Sequence, residues 1–115
     1  MTAALAVRML FEPQRTLAFG SISGAYMGVG TAVDHPVRQF IVQNFTDQPL
    51  QFSFDGINDH FPVAAFTSMI NDVSSNNSLS QTFLMGKGER LYVKTLGGAP
   101  TVGSVYFSVM YGKES

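Results

Sequence analysis

The chain has 115 residues, 45% of them hydrophobic and 13% charged, with a net charge of −1 and neither cysteine nor tryptophan. That length supports one domain burying roughly two thirds of its unfolded surface, and not two separate cores. Seven Lys and Arg scattered singly leave no basic stripe for nucleic acid, and the absence of cysteine removes disulfides and thiolate zinc sites.

Residues 1–13 differ from the rest, being rich in Ala, Leu and Met and closed by Pro13, which ends any helix begun earlier. Leu5, Val7, Met9 and Phe11 also alternate with their neighbours well enough to form a strand. This segment reads as an N-terminal arm, either adding to a neighbouring subunit's sheet or docking in its own. Its apolar run is short and broken by Arg8, so it resembles neither a signal peptide nor a membrane span, and the expectation is a soluble, unexported protein with no membrane partner.

From Arg15 onward the pattern predicts strands over 15–22, 27–33, 37–45, 49–55, 64–73, 79–85, 89–96 and 103–111, bounded by Gly, Pro, Asn and Asp. Gly20, Gly24, Gly28 and Gly30 interrupt the first two, as edge strands allow. The run from Val37 to Gly56 is the most informative: Leu50, Phe52 and Phe54 alternate with Gln51, Ser53 and Asp55, the signature of one buried and one wet face. Leu91, Val93 and Thr95 oppose Tyr92 and Lys94. Val105, Phe107, Val109 and Tyr111 oppose Ser104, Tyr106, Ser108 and Met110. Residues 73–79 read as a polar loop, and residues 95–103, with Gly97-Gly98 and Pro100, as an exposed hairpin connection. The expected fold class is all-β, an antiparallel β-sandwich of jelly-roll type with about eight strands over 14–115 and an N-terminal arm over 1–13.

No pattern in the chain carries catalytic chemistry. Asp55 to His60 gathers four oxygen or nitrogen donors, but the spacing is not that of a calcium helix-loop-helix, and Asp55-Gly56 and Asn58-Asp59 suit a tight turn. Gly86-Lys87-Gly88 lacks both the earlier glycine and the following Ser or Thr of a phosphate loop, and His35 and His60 stand alone. The reading is a non-enzyme without metal or cofactor. Most of the aromatic residues fall on inward phases; Tyr26, Phe45 and Phe61 lie near turns and, with Leu5, Val7, Met9 and Phe11 of the arm, are the candidate partner-binding residues.

Asn44-Phe45-Thr46-Asp47, Ser53-Phe54-Asp55-Gly56, Gly88-Glu89-Arg90-Leu91-Tyr92-Val93-Lys94 and the strand from Tyr106 to Tyr111 together resemble small structural proteins of tailed bacteriophages. The likeness covers roughly the last two thirds of the chain and is one of pattern. It implies a β-sandwich accessory protein of the virion, assembled in the host cytoplasm: a cement or decoration protein that stabilises the capsid shell. The alternatives are a neck or tail adaptor and a tail-associated module binding glycan or receptor. The partners implied are the major capsid protein or neck and portal-tail proteins, together with further copies in a homo-oligomer. A charge-poor chain with an apolar arm fits a protein covered by neighbours.

Overall fold

The computed structural model describes residues 7–72 and 87–114, and in these the chain forms nine strands: β1 (Val7–Phe11), β2 (Arg15–Ala18), β3 (Met27–Gly28), β4 (Gln39–Asn44), β5 (Leu50–Ser53), β6 (Phe61–Val63), β7 (Thr67–Asp72), β8 (Tyr92–Thr95) and β9 (Ser104–Glu114). A 3-10 turn, Phe19–Ser21, follows β2. The predicted strand over 79–85 and the residue Leu5 lie outside the described residues.

Two antiparallel sheets result. One runs β1-β9-β4-β7, with β2 also on β9; the other runs β3-β8-β5-β6. The pairings are nested: β5 with β6, β4 with β7, β3 with β8 and β2 with β9. The chain is therefore one long hairpin, turning at Phe54 to His60, wrapped so that its successive pairs fall alternately on two sheets. That is the jelly-roll connectivity.

The core lies where the inner phases meet. Phe40 and Val42 from β4, Val105, Phe107 and Val109 from β9, Leu50 and Phe52 from β5, and Leu91 and Val93 beside or on β8 are all buried. Strand β4 alternates strictly and β9 does so from Ser104 to Met110, whereas in β8 Val93 is buried but Thr95, expected beside it on the inner face, is only partly so, and β5 is buried at all four positions. Ser53, expected on a wet face, instead turns its hydroxyl into the corner, donating to Asp55 Oδ1 (2.8 Å) and accepting from the amides of Asp55 (3.1 Å) and Gly56 (3.0 Å).

Several other expectations give way to identifiable constraints. Residues 7–11 form a strand in the chain's own sheet, β1 pairing with Met110 to Glu114 of β9. Glu12, Pro13 and Gln14 interrupt it before β2 continues along the same strand, and the Glu12 amide still donates to the Val109 carbonyl (3.1 Å). The segment 27–33 pairs regularly only at Met27–Gly28, where a Cβ on Gly28 would overlap the Arg90 guanidinium. Residues 95–103 are no hairpin, because β8 and β9 belong to different sheets and the connection crosses between them. The sequence reading misses β6, because Pro62 argues against a strand; β6 is an edge strand, where a missing N–H is tolerated.

Phe52→Ala and Phe107→Ala each empty a fully buried site and are expected to lower unfolding free energy by about 3–5 kcal/mol. Ser53→Ala, leaving two amides without their acceptor, is expected to cost about 1–3 kcal/mol. Denaturant unfolding checks all three; equal loss at Phe107 and at exposed Thr16 would contradict the strand phase.

Candidate interaction face

The register that buries one phase of the five-stranded sheet projects the other outward. Read across the strands, one outward row is Thr16, Tyr106, Gln43 and Ser68. The next is Ser108, Ile41 and Ile70, and a third is Phe11, Met110 and Gln39. The side chains in these rows include no Lys, Arg, Asp or Glu, and the register carries on from Gln39 to Asp72 at the end of β7. Phe11 (60% exposed) sits across from Met110, and Ile70 (70% exposed) across from Ile41. At the lower corner the Phe45 ring packs edge-on against Tyr106, centroids 5.5 Å apart. Hydroxyl and amide side chains separate these apolar pairs, giving a nearly uncharged face.

The opposite sheet is different. Lys94 lies 3.1 Å from Asp59 and over the Tyr26 ring at 4.7 Å, and Arg90 lies over Tyr92 at 5.8 Å. The Tyr26 hydroxyl donates to Asp59, and burial followed by that hydrogen bond pushes the phenol up while the Asp59 carboxyl is held down by Tyr26 and Lys94. Tyr26 is thus fixed in a polar cluster on the charged side, away from the apolar face.

Phe61 also departs from its predicted role. Its ring packs on Phe52 (5.5 Å), Phe54 (5.7 Å) and Phe40 (6.2 Å), and with Phe40, Phe54, Met69 and the polar Asp55, His60 and Asn71 it lines an open pocket of about 510 Å³. It is an inner residue because β6 brings it inside, a strand its proline conceals in the sequence. Among the candidate residues, then, the structure brings Phe11 and Phe45 together on one face. Tyr26 and Phe61 lie elsewhere, and for Val7 and Met9 the backbone alone places them on β1. Ile41, Ile70, Tyr106 and Met110 complete the face. The outward phase of Ile41, Tyr106 and Met110 could be read from the alternation of β4 and β9, but the pairing of those strands, and the place of Ile70 beside them on β7, could not.

Asp55 organises the turn whose four donors could have suggested a cation site but whose residues suit a tight connection. Its Oδ1 accepts from the amides of Ile57 and Asn58 and its Oδ2 from the Asn58 side chain, all within 2.9 Å, and those backbone bonds hold the carboxyl far below the usual range. His60 Nδ1 accepts from the Phe54 amide at 3.0 Å. Both residues are engaged in closing the hairpin.

A buried ionic cluster braces the interruption between β1 and β2. The Glu12 carboxylate, 1% exposed, accepts from Arg15 Nη2 (2.8 Å) and from the Asp34 amide at 3.2 and 3.1 Å. His35 Nδ1 lies 2.7 Å from Glu12 Oε2, and since a carboxylate only accepts, that nitrogen carries the hydrogen. The His35 ring stacks on Tyr111 of β9 at 3.6 Å, with the planes 1° apart. Arg15 spends its other donors on the carbonyls of Thr31, Ala32 and Pro13. Burial alone would raise the Glu12 carboxyl; the hydrogen bonds from His35, Asp34 and Arg15, with the Arg15 charge, outweigh it and hold the group low.

No protein-family model matches the chain, and neither curated proteins nor solved structures give a match. Among the described residues, no helix is long and apolar enough to cross a membrane.

Because the folded Glu12 carboxyl lies below its ordinary value of 4.5, the unfolded chain takes up the proton first. The cluster's contribution is therefore complete above that value and is lost as pH falls through the lower folded one. Glu12→Gln is expected to make the acid limb of the stability profile shallower, and Glu12→Ala, which strands the Arg15 charge, to cost about 3 kcal/mol or more at neutral pH. Urea midpoints measured from about pH 7 to about pH 3 check both.

Proposed function

We propose that the chain is a non-enzymatic structural protein of a tailed-phage particle, a cement or decoration protein that lays the outer face of its five-stranded sheet against the capsid shell. The observation that carries this reading is the asymmetry of charge: apolar pairs and short neutral side chains on one sheet, Lys94, Arg90 and Asp59 on the other. A face with so few charges loses little on desolvation, and its apolar pairs gain on leaving water. Weak contacts of this kind become strong when many copies sit on a repeating lattice. The phage-like pattern at 44–56 and 88–111 supports the same assignment, and adhesion needs no catalytic group.

A second reading, a tail-associated module binding carbohydrate, draws on the half-exposed Phe45–Tyr106 pair, whose rings could stack on a sugar. It predicts glycan binding by the isolated protein that Phe45→Ala abolishes.

For the cement reading, the protein is expected to co-purify with phage particles and to rebind particles stripped of it. Ile70→Asp, at a 70% exposed position, should change folding stability by no more than about 0.5 kcal/mol yet lower occupancy on particles at least about tenfold, because it buries a charge against an apolar surface. Quantitative gel analysis of banded particles reads the result. Full occupancy by Ile70→Asp, or absence of the wild-type protein from particles, overturns the proposal.

A further inference from the structure

The inner layer of the sandwich is not closed everywhere. Leu17, Phe54, Phe61 and Met69 pack against the core while staying partly exposed, and the last three line one pocket of about 510 Å³ beside the turn from Phe54 to His60. The register explains the opening. Met69 and Asn71 stand across from Val42 and Phe40, so both take the inward phase of β7. Asn71 therefore brings an exposed amide to the place where an apolar side chain would close the layer over buried Phe40. The three rings hold one another in place: Phe54 lies edge-on to Phe40 (centroids 5.5 Å apart, planes at 73°), and Phe61 is 5.7 Å from Phe54 and 6.2 Å from Phe40. Walls fixed in this way need little ordering when something enters.

The ionisable part of the lining favours one sign of charge. Asp55 and Glu89 contribute carboxyl groups, and no Lys or Arg lines the pocket among the described residues. His60 Nδ1 accepts from the Phe54 amide, so the hydrogen sits on Nε2 and the ring brings no positive charge. Asp55 Oδ1 accepts from the Ser53 hydroxyl and from the amides of Ile57 and Asn58, while Oδ2 accepts from the Asn58 side chain at 2.9 Å. Each carboxylate oxygen has two lone pairs, so Oδ2 retains room for a further donor. The bonds to Oδ1 and Oδ2 also keep this carboxyl ionised, far below its usual range.

We propose that this pocket binds a small organic cation, a protonated amine on an aromatic or aliphatic stem, with the stem against the three phenylalanines and Met69 and the ammonium group at the Asp55, Asn71 and Glu89 side chains. The volume falls within the roughly 300–1,000 Å³ of small-molecule sites, and apolar walls with a few polar groups are their usual make-up. Charge selects the ligand class. An anion would meet two carboxyl groups and no basic side chain, and a neutral apolar molecule would shut water from Asp55 and supply no donor in exchange. A cation gains from both the carboxylates and the ring faces, and the thioether of Met69 adapts to stems of different shape. Phe40, Met69 and Asn71 take the inward phase of the register whose outward phase holds Ile41 and Ile70, so this site is separate from the face assigned to the shell.

NMR of the whole protein carrying ¹³C-methyl methionine, titrated with phenethylamine, tests the proposal. The Met69 methyl signal is expected to shift with a Kd at or below about 1 mM, while those of Met27 and Met110 stay in place. 2-Phenylethanol, which has a hydroxyl in place of the ammonium, and phenylacetate should each bind at least about tenfold more weakly. Glu89→Gln should weaken phenethylamine binding about fivefold and leave 2-phenylethanol unaffected. Asn71→Trp, at an exposed position on the inward phase, fills the pocket; it should abolish the shift with the thermal midpoint unchanged or higher. A Met69 signal that stays still up to about 10 mM phenethylamine overturns the proposal. So does equal affinity for 2-phenylethanol or phenylacetate, or undiminished phenethylamine binding by either variant.

Discussion

Six consecutive residue pairs between β4 and β9, from Gln39 with Met110 to Asn44 with Val105, set the terms for the rest of the molecule. They place Phe40, Val42, Phe107 and Val109 in one inner layer and, by the same alternation, Ile41, Gln43, Tyr106 and Met110 in one outer layer. A slip of one residue would exchange the two layers entirely. The core and the proposed docking face are therefore consequences of a single register, and selection for either constrains the other.

Polar side chains supply the corners that this register requires. Asn44 closes the connection from β4 to β5, Ser53 and Asp55 close the turn from β5 to β6, and Glu12 with Arg15 and His35 anchors the interruption between β1 and β2. Each is placed where the chain changes direction and backbone amides or carbonyls lack a partner in a sheet. Among the described side chains every buried nitrogen or oxygen has a hydrogen-bond partner. The cost of burying these groups is thereby offset locally, leaving the apolar layers to supply the net stabilisation.

The alternation of β4 and β9 made the all-β class and much of the core legible in the sequence, because period-two burial is there a property of each strand taken alone. Connectivity was not legible in the same way. Whether residues 95–103 close a hairpin or cross between sheets depends on which strands pair at long range, and the glycines serve either outcome. Strand β6 was hidden by Pro62, whose tolerance depends on lying at an edge that the sequence does not mark. Glu12 and Arg15 look like solvated charges in a string of residues and become structural only when the loop carrying Asp34 and His35 folds over them. Of the candidate site, Phe11 and Phe45 could be singled out as apolar residues in exposed contexts, whereas Tyr26 and Phe61 were claimed by neighbours distant in sequence.

The proposed function makes the molecule a sandwich with one sheet for solvent and one for a partner. Hydroxyl-radical footprinting of the protein bound to the phage particles proposed to carry it, compared with the free protein, tests this most directly. The account predicts strong protection of Phe11, Tyr106 and Met110 on the five-stranded sheet, with Tyr26 and Tyr92 on the other sheet labelled as in the free state. Equal labelling of both sheets, or protection confined to Tyr26 and Tyr92, would contradict it.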